Sequence, residues 1–404
     1  MRQLRQSADY LTRVLNRRNQ VTNKLLRILW AAAVILTALP LARAQVYTIV
    51  ATFTGGGGPD TNPLDRDAVG NFYGVGGYTA ILKIDPTGKV TTLYNFKGAP
   101  DGWWPVQVVR DPEGNLYGTT EYGGTGTCNY GPFAGCGAVF KLTAAGEETV
   151  LHSFTGLADG SRPAGLIRDA KGNLYGTAFQ GGKLGCVTFG CGVVYKIDPT
   201  GKETVLHRFT DGKDGGFPMG DLLLQDGALY GTTAAGGTGP CTFFPPAVGC
   251  GTVFKLEGKK ETVLYSFQGP PDGQLPTANV VRDSAGNLYG MTVSGGDASC
   301  SHPYGCGIIF KLDPTGKETI LYTFKGQHNV QSPGGLVIDP EGNVYGSAYS
   351  GDSFGYIFKI DPSGQFSVVY SFTPGDFGAP ADLILDEQGN LYGSDGTVLY
   401  KLTP

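Results

Sequence analysis

Histidine is scarce in this chain, with four residues in 404, and methionine and tryptophan number three each. So few imidazoles leave little for His-based metal binding or acid–base catalysis, and no His-x-x-x-His pair occurs. His152 and His207 hold one repeat position that is tyrosine in other copies, which reads as packing. His302 lies in a cysteine-bounded loop and His328 in a variable turn, neither with an evident partner. Charge is also thin. Charged residues make up 16% and the net charge is −4, so the basic face that nucleic acid requires is missing and no nucleic-acid partner is expected. Long apolar runs are absent except for Ile28 to Leu41, which is short for a spanning helix. It follows a basic segment carrying Arg2, Arg5, Arg13, Arg17, Arg18, Lys24 and Arg27, and it precedes Ala42-Arg43-Ala44. That order is a secretory signal over residues 1–44, with an uncleaved anchor as the other reading. The protein is therefore expected to be exported, to the periplasm, the cell surface or the medium, with no membrane span in the mature chain.

Glycine, by contrast, is abundant at 65 residues, alongside 25 prolines, 21 tyrosines and 21 phenylalanines. Many turns combined with many aromatics mean many short strands rather than disorder. Three blocks recur. Gly-Asn-Leu-Tyr-Gly, with small changes, begins at Gly70, Gly114, Gly172, Gly227, Gly286, Gly342 and Gly389. An apolar-aromatic-Lys-apolar block carries Lys83, Lys141, Lys196, Lys255, Lys311, Lys359 and Lys401. A block like Thr-Val-Leu-Tyr-Ser-Phe ends at Phe96, Phe154, Phe209, Phe267, Phe324 and Phe372, and its seventh copy is Tyr47 to Phe53 at the other end of the chain. Each repeat reads as four antiparallel strands, which is a propeller blade. The displaced copy implies ring closure, since the last blade lacks its outer strand and residues 46–53 can supply it. The expected fold is all-β, a seven-bladed β-propeller over residues 45–404. In the closing strand, Val46, Thr48, Val50 and Thr52 are expected on one side and Tyr47, Ile49, Ala51 and Phe53 on the other.

All eight cysteines fall between the second and third strands of a blade, as Cys128/Cys136, Cys186/Cys191, Cys241/Cys250 and Cys300/Cys306. In an exported protein these pairs read as four local disulfides. Zinc is the weaker reading, because no pair is Cys-x-x-Cys and the pairs sit on separate blades.

No catalytic constellation stands out. Gly351-Asp-Ser-Phe-Gly355 has the letters of a nucleophile elbow without a following helix, and Gly55 to Gly58 lacks the lysine of a phosphate loop. Asp101, Asp159, Asp214 and Asp272 recur in Asp-Gly turns, where a calcium-binding rim competes with plain turn chemistry. The remaining candidate is the mouth of the central channel. Gln107, Asn279 and Asp382 align at one position near the start of the innermost strand, with Asp221 one residue away, and Trp103 and Trp104 stand in the neighbouring loop. Repeat-breaking polar and aromatic residues at a channel mouth are where a ligand site would be grafted.

Gly-Asn-Leu-Tyr-Gly-Thr-Thr at 114–120, Gly-Thr-Val-Phe-Lys-Leu at 251–256 and Thr-Val-Leu-His-Ser-Phe at 149–154 resemble the GloVer-type tandem repeats of exported bacterial proteins, over essentially all of residues 46–404. More distantly, blades such as Pro163 to Thr210 are similar to those of NHL-repeat propellers, some of which are lyases or lactonases. The metal carboxylates and catalytic histidine of those relatives have no counterparts here residue by residue. The expected function is a non-catalytic, monomeric binding or interaction module, taking a protein, glycan or small molecule on the disulfide-bearing face without a cofactor. Two alternatives stand beside it. One is a lactonase- or lyase-like enzyme with a metal, calcium among the options, held by Asp221, Asn279 and Asp382. The other is a structural envelope protein.

Overall fold

The computed structural model describes residues 46–53, 64–182, 189–242, 247–298, 305–325, 332–350, 353–373 and 382–403. The expected signal segment, Gly55 to Gly58, Cys186, Cys300, His302, His328 and the start of the Gly351–Gly355 stretch lie outside these residues. Among the described residues every regular element is a strand, and no helix is long and apolar enough to cross a membrane.

Seven antiparallel sheets follow one another along the chain, as the repeats predict. Blade two is typical, with strands Gly102–Arg110, Leu116–Gly123, Ala138–Leu142 and Glu148–Ser153. The turn between its first two strands shows what the Gly-Asn-Leu-Tyr block does. Asp111 accepts hydrogen bonds from the Asn115 backbone and side chain at 2.8 Å each and from the Tyr117 hydroxyl at 3.1 Å. The same clamp recurs at Asp67, Asp169, Asp283, Asp339 and Asp386. Each aspartate closes its turn and pins the next strand, so the block is a structural device in every blade that carries it.

Blade seven consists of Ile384–Leu385, Leu391–Ser394 and Val398–Thr403, and its outer strand is Val46–Thr52. The pairing runs from Val46 opposite Thr403 to Thr52 opposite Val398. It is not a regular ladder. Ile49 faces Tyr400 and Ala51 faces Leu399, so Val50 is an extra, bulged residue. The expected alternation is corrected on this point: beyond the bulge Ala51 and Phe53 are buried, whereas Ile49 is 53% exposed. The bulge is also the strongest sign that this strand is the missing copy. In the other six blades the outer strand carries the same extra residue, at Leu93, Leu151, Leu206, Leu264, Leu321 and Val369.

The bulges serve packing. Seven buried apolar clusters lie between neighbouring blades, and each includes one bulged side chain. The cluster of Ala51, Phe53, Tyr392 and Leu399 with Phe72, Leu82 and Ile84 joins blade seven to blade one and closes the ring. The phenylalanines ending the third block are all buried. Each such side chain contributes about 1.5–3 kcal/mol of burial, so the interfaces between blades form the core of the fold.

Candidate functional site

The first strands of the blades converge on the central axis, and four expected site residues meet there. The Gln107 amide donates to Asp221 Oδ2 at 3.2 Å across the channel, and its Oε1 accepts the Leu166 backbone N–H at 2.7 Å. Asn279 bridges blades five and six, accepting the Leu336 N–H at 2.9 Å and donating to the Leu336 carbonyl at 3.3 Å. The Gly335 backbone N–H donates to Asp382. Glycine holds the equivalent places in blades three and six, where the neighbouring side chains occupy the space. A Cβ on Gly165 would lie 1.5 Å from Asp221 Oδ1, and one on Gly335 would lie 2.2 Å from Asp382 Oδ1.

Asp221 is thus a full member of the layer rather than one residue away from it. The strand register decides this. Leu223 pairs with Tyr230 as Val109 pairs with Tyr117, so Asp221 and Gln107 are equivalent. Blade four has a shorter first hairpin, closed by Asp226 and Gly227 at φ 54° and 77°, and counting back from the glycine misplaces the strand by one.

Both axial carboxyls are hard to ionise. Burial pushes Asp221 up to about 6, against the opposing pull of the Gln107 amide. Asp382 rises to about 7 through burial and then repulsion from Asp221, opposed by the Gly335 N–H. At neutral pH the layer therefore holds less than its full formal charge of two. Among the described residues no group of three or more His, Cys, Asp or Glu side chains could hold a metal ion.

The two tryptophans part company. Trp103 packs by the turn at Gly98, and its indole N–H is buried without a partner among the described residues. Trp104 instead joins a group of rings on the disulfide-bearing face, with Tyr78 at 4.5 Å, Phe133 at 5.8 Å and Tyr122 at 6.2 Å between centroids. Tyr122 stacks on Phe133 and leads through Tyr130 to Phe189 on blade three. Trp104 has φ 60°, a region costly for a bulky residue. Arg162, Phe217 and Leu275, each also just before a proline, hold the same conformation. Their backbone N–H groups donate to the carbonyls of Cys136, Cys191 and Cys250 in the preceding blade. The strained residues are thereby tied to the disulfide loops.

Two of those disulfides are fully described, Cys128–Cys136 and Cys241–Cys250. Cys191 and Cys306 are disulfide-bonded as well. The Asp-Gly aspartates are engaged in their own turns. Asp101 accepts from the Lys97 N–H and the Tyr94 hydroxyl, and Asp272 from the Gln268 N–H and the Tyr265 hydroxyl. These bonds are turn chemistry.

Beside the axial layer lies a cavity of about 380 Å³, lined by Val106, Glu121, Arg162, Pro163, Ala164, Phe179 and Met219. Val106 and Ala164 are chain neighbours of Gln107 and Gly165. Arg162 donates through Nε, at 2.7 Å, and through Nη2 to the same Glu121 oxygen. Its guanidinium lies 5.3 to 5.7 Å from the rings of Phe179, Tyr122 and Tyr130.

Comparison with known proteins places this geometry. The sequence model of the Gloeobacter/Verrucomicrobia repeat matches residues 39–244 and, overlapping them, 125–302. The chain belongs to this repeat family. No curated protein matches it in sequence. Solved propellers match in fold. A streptogramin B lyase is 14% identical, with 89% of this chain and 97% of that one covered and a TM-score of 0.58. A catalytically inactive virginiamycin B lyase from Staphylococcus aureus, bound to quinupristin, is 14% identical over 89% and 100% with a TM-score of 0.59. The WD40 propeller domain of Doa1 is 12% identical over 89% and 97% with a TM-score of 0.55. At these identities the likeness is one of fold alone.

In this Gloeobacter/Verrucomicrobia repeat protein, the sequence alone points to the residues of the axial layer and to Trp104, and does not point directly to Arg162 or Glu121. A signal for Arg162 existed. In the Asp-Gly-x-x-Pro turns the residue before proline is Trp104, Phe217 or Leu275 elsewhere, so an arginine there breaks the repeat. Its partner could not be read, because Glu121 is distant in the chain and only strand placement brings the two together.

Proposed function

We propose that this protein is an exported, non-catalytic binding module that captures its ligand on the disulfide-bearing face of blades one to three. One observation carries the reading: the rings of Tyr78, Trp104, Tyr122, Phe133, Tyr130 and Phe189 gather there, beside a cavity, while the rest of each blade repeats. Exposed aromatic surface beside a concave site is the usual signature of recognition. The basic, apolar and small-residue order of residues 1–44 and the disulfides support export. The test is a thermal-shift and ligand-observed NMR screen of glycans and small molecules, run on the wild type and on Trp104→Ala. A hit that the variant loses while keeping its β-sheet circular dichroism supports the module. Hits that the variant retains at equal affinity refute this location.

A second reading, acid–base chemistry at the axis, is favoured by the pairing of Asp221 and Asp382 with raised pKa values. Stoichiometric metal in the purified protein, lost together with a hydrolase or lyase activity in Asp221→Asn, would establish it over binding alone.

A further inference from the structure

The blade-two/blade-three interface differs from its neighbour in one respect. Glu121 and Phe179 hold equivalent places near the end of the second strand, and Arg162 and Phe217 hold the equivalent strained place before proline. Between blades three and four the two positions make an aromatic contact, with Phe179 and Phe217 centroids 5.4 Å apart. Between blades two and three they make an ion pair instead, with side-chain exposures of 19% for Glu121 and 29% for Arg162. A partly buried ion pair often stabilises a fold no better than well-packed apolar residues of similar size. The neighbouring interface uses that apolar solution. The ion pair is thus unexplained by stability, and it forms a wall of the 380 Å³ cavity.

The cavity wall limits what can enter. Apart from the pair, its lining is Val106, Pro163, Ala164, Phe179 and Met219, all apolar. Arg162 and Glu121 neutralise each other, so a charged guest would compete for one partner and leave the other half-buried and unpaired. The ion pair uses the Nε–Nη2 edge of Arg162, and the Nη1 group is a donor outside it. We propose that this cavity binds a small uncharged ligand, an apolar ring or chain bearing one carbonyl-type acceptor that takes a hydrogen bond from Arg162. The proposal rests on the binding-module reading and names its ligand class.

The test uses full-length protein and four probes: N-acetyl-phenylalaninamide, its carboxylate counterpart N-acetyl-phenylalanine, phenethylammonium and chitobiose. Binding is measured by ligand-observed NMR on the wild type and on the double variant Glu121→Phe/Arg162→Phe. That variant copies the Phe179–Phe217 interface and is expected to fold. The amide should bind the wild type at least about tenfold more tightly than either charged probe, and the double variant should lose about tenfold or more in affinity for it. Tighter binding of the carboxylate, undiminished amide binding by the double variant, or no amide binding at millimolar concentration would overturn the proposal. Binding of chitobiose alone, lost in Trp104→Ala, would overturn it while leaving the binding module intact. If the double variant fails to fold, Arg162→Lys, which keeps the charge but not the planar fork, should show the same loss for the amide.

Discussion

His152 Nε2 lies 3.5 Å from Asp159 Oδ2, in the place where the Tyr94 hydroxyl meets Asp101 one blade earlier. His207 stands at 3.4 Å from Asp214 in the same way. Two of the four histidines are therefore substitutes for tyrosine in a turn anchor. His152→Tyr and His207→Tyr should each change stability by less than about 1 kcal/mol and leave ligand capture unchanged. Thermal melts with the binding assay check this. Loss of function in a well-folded His207→Tyr would assign the imidazole a chemical role.

Behind these anchors the next blade places a glutamate. Burial, and then the charge of Asp101, raises Glu148 to about 7, and burial with Asp272 does the same for Glu318, against a hydrogen bond from Tyr265. The folded state thus holds a proton that the unfolded chain releases near the ordinary glutamate value. Stability from these sites is full below about 4.5 and falls as pH rises through about 7. Asp159 acts in the opposite sense. Burial raises it, but the approach of His152 and the hydrogen bonds from Thr155 outweigh that and hold it below the usual range, so its contribution is lost only in acid. Glu148→Gln should raise the melting temperature at pH 8 and leave it nearly unchanged at pH 4.5. An equal gain at both values would remove titration as the cause.

Tyr195 and Tyr400 are fully buried at the position where blades two, four, five and six have Phe140, Phe254, Phe310 and Phe358. Their hydroxyls have no hydrogen-bond partner among the described residues. Removing such a group relieves its desolvation, about 1–3 kcal/mol at most. Tyr195→Phe should therefore stabilise the fold or leave it unchanged in a denaturant titration. A clear loss would mean that the hydroxyl is satisfied in solution.

The disulfides close short loops, each worth about 2–3 kcal/mol on chain-entropy grounds. Non-reducing peptide mapping should recover Cys128–Cys136 and Cys241–Cys250, and also the expected Cys186–Cys191 and Cys300–Cys306. Links between blades would contradict the local-staple reading.

The fold was legible because each blade repeats the same solution. Asp111, Asn115 and Tyr117 are neighbours in sequence and make a clamp that recurs, so the motif announces the turn. The bulge at Val50 was not read, although the consecutive apolar residues of Thr149-Val-Leu-His conflict with strict alternation and mark it. Asp221 was misplaced because a shorter hairpin shifts the count by one. The site was legible only where the repeat breaks at an aligned position, as at Gln107, Asn279 and Asp382. The Glu121–Arg162 pair depends on where two blades meet, which no single repeat encodes.

Closure of the ring remains the central claim. The Phe53 N–H donates to the Thr397 carbonyl at 2.7 Å, matching the bond from Phe154 to Gly137 in blade two. Without residues 45–53 the edge from Val398 to Thr403 would be bare, and the buried Phe53 would be lost. Loss of that side chain alone is worth about 3–5 kcal/mol, and a bare edge invites association. The deciding measurement is a thermal melt with light scattering on the protein beginning at residue 45 and on the form beginning at residue 54. A sharp fall in melting temperature together with self-association is the predicted result; an unchanged melting temperature and a monomer would contradict the closed seven-bladed ring.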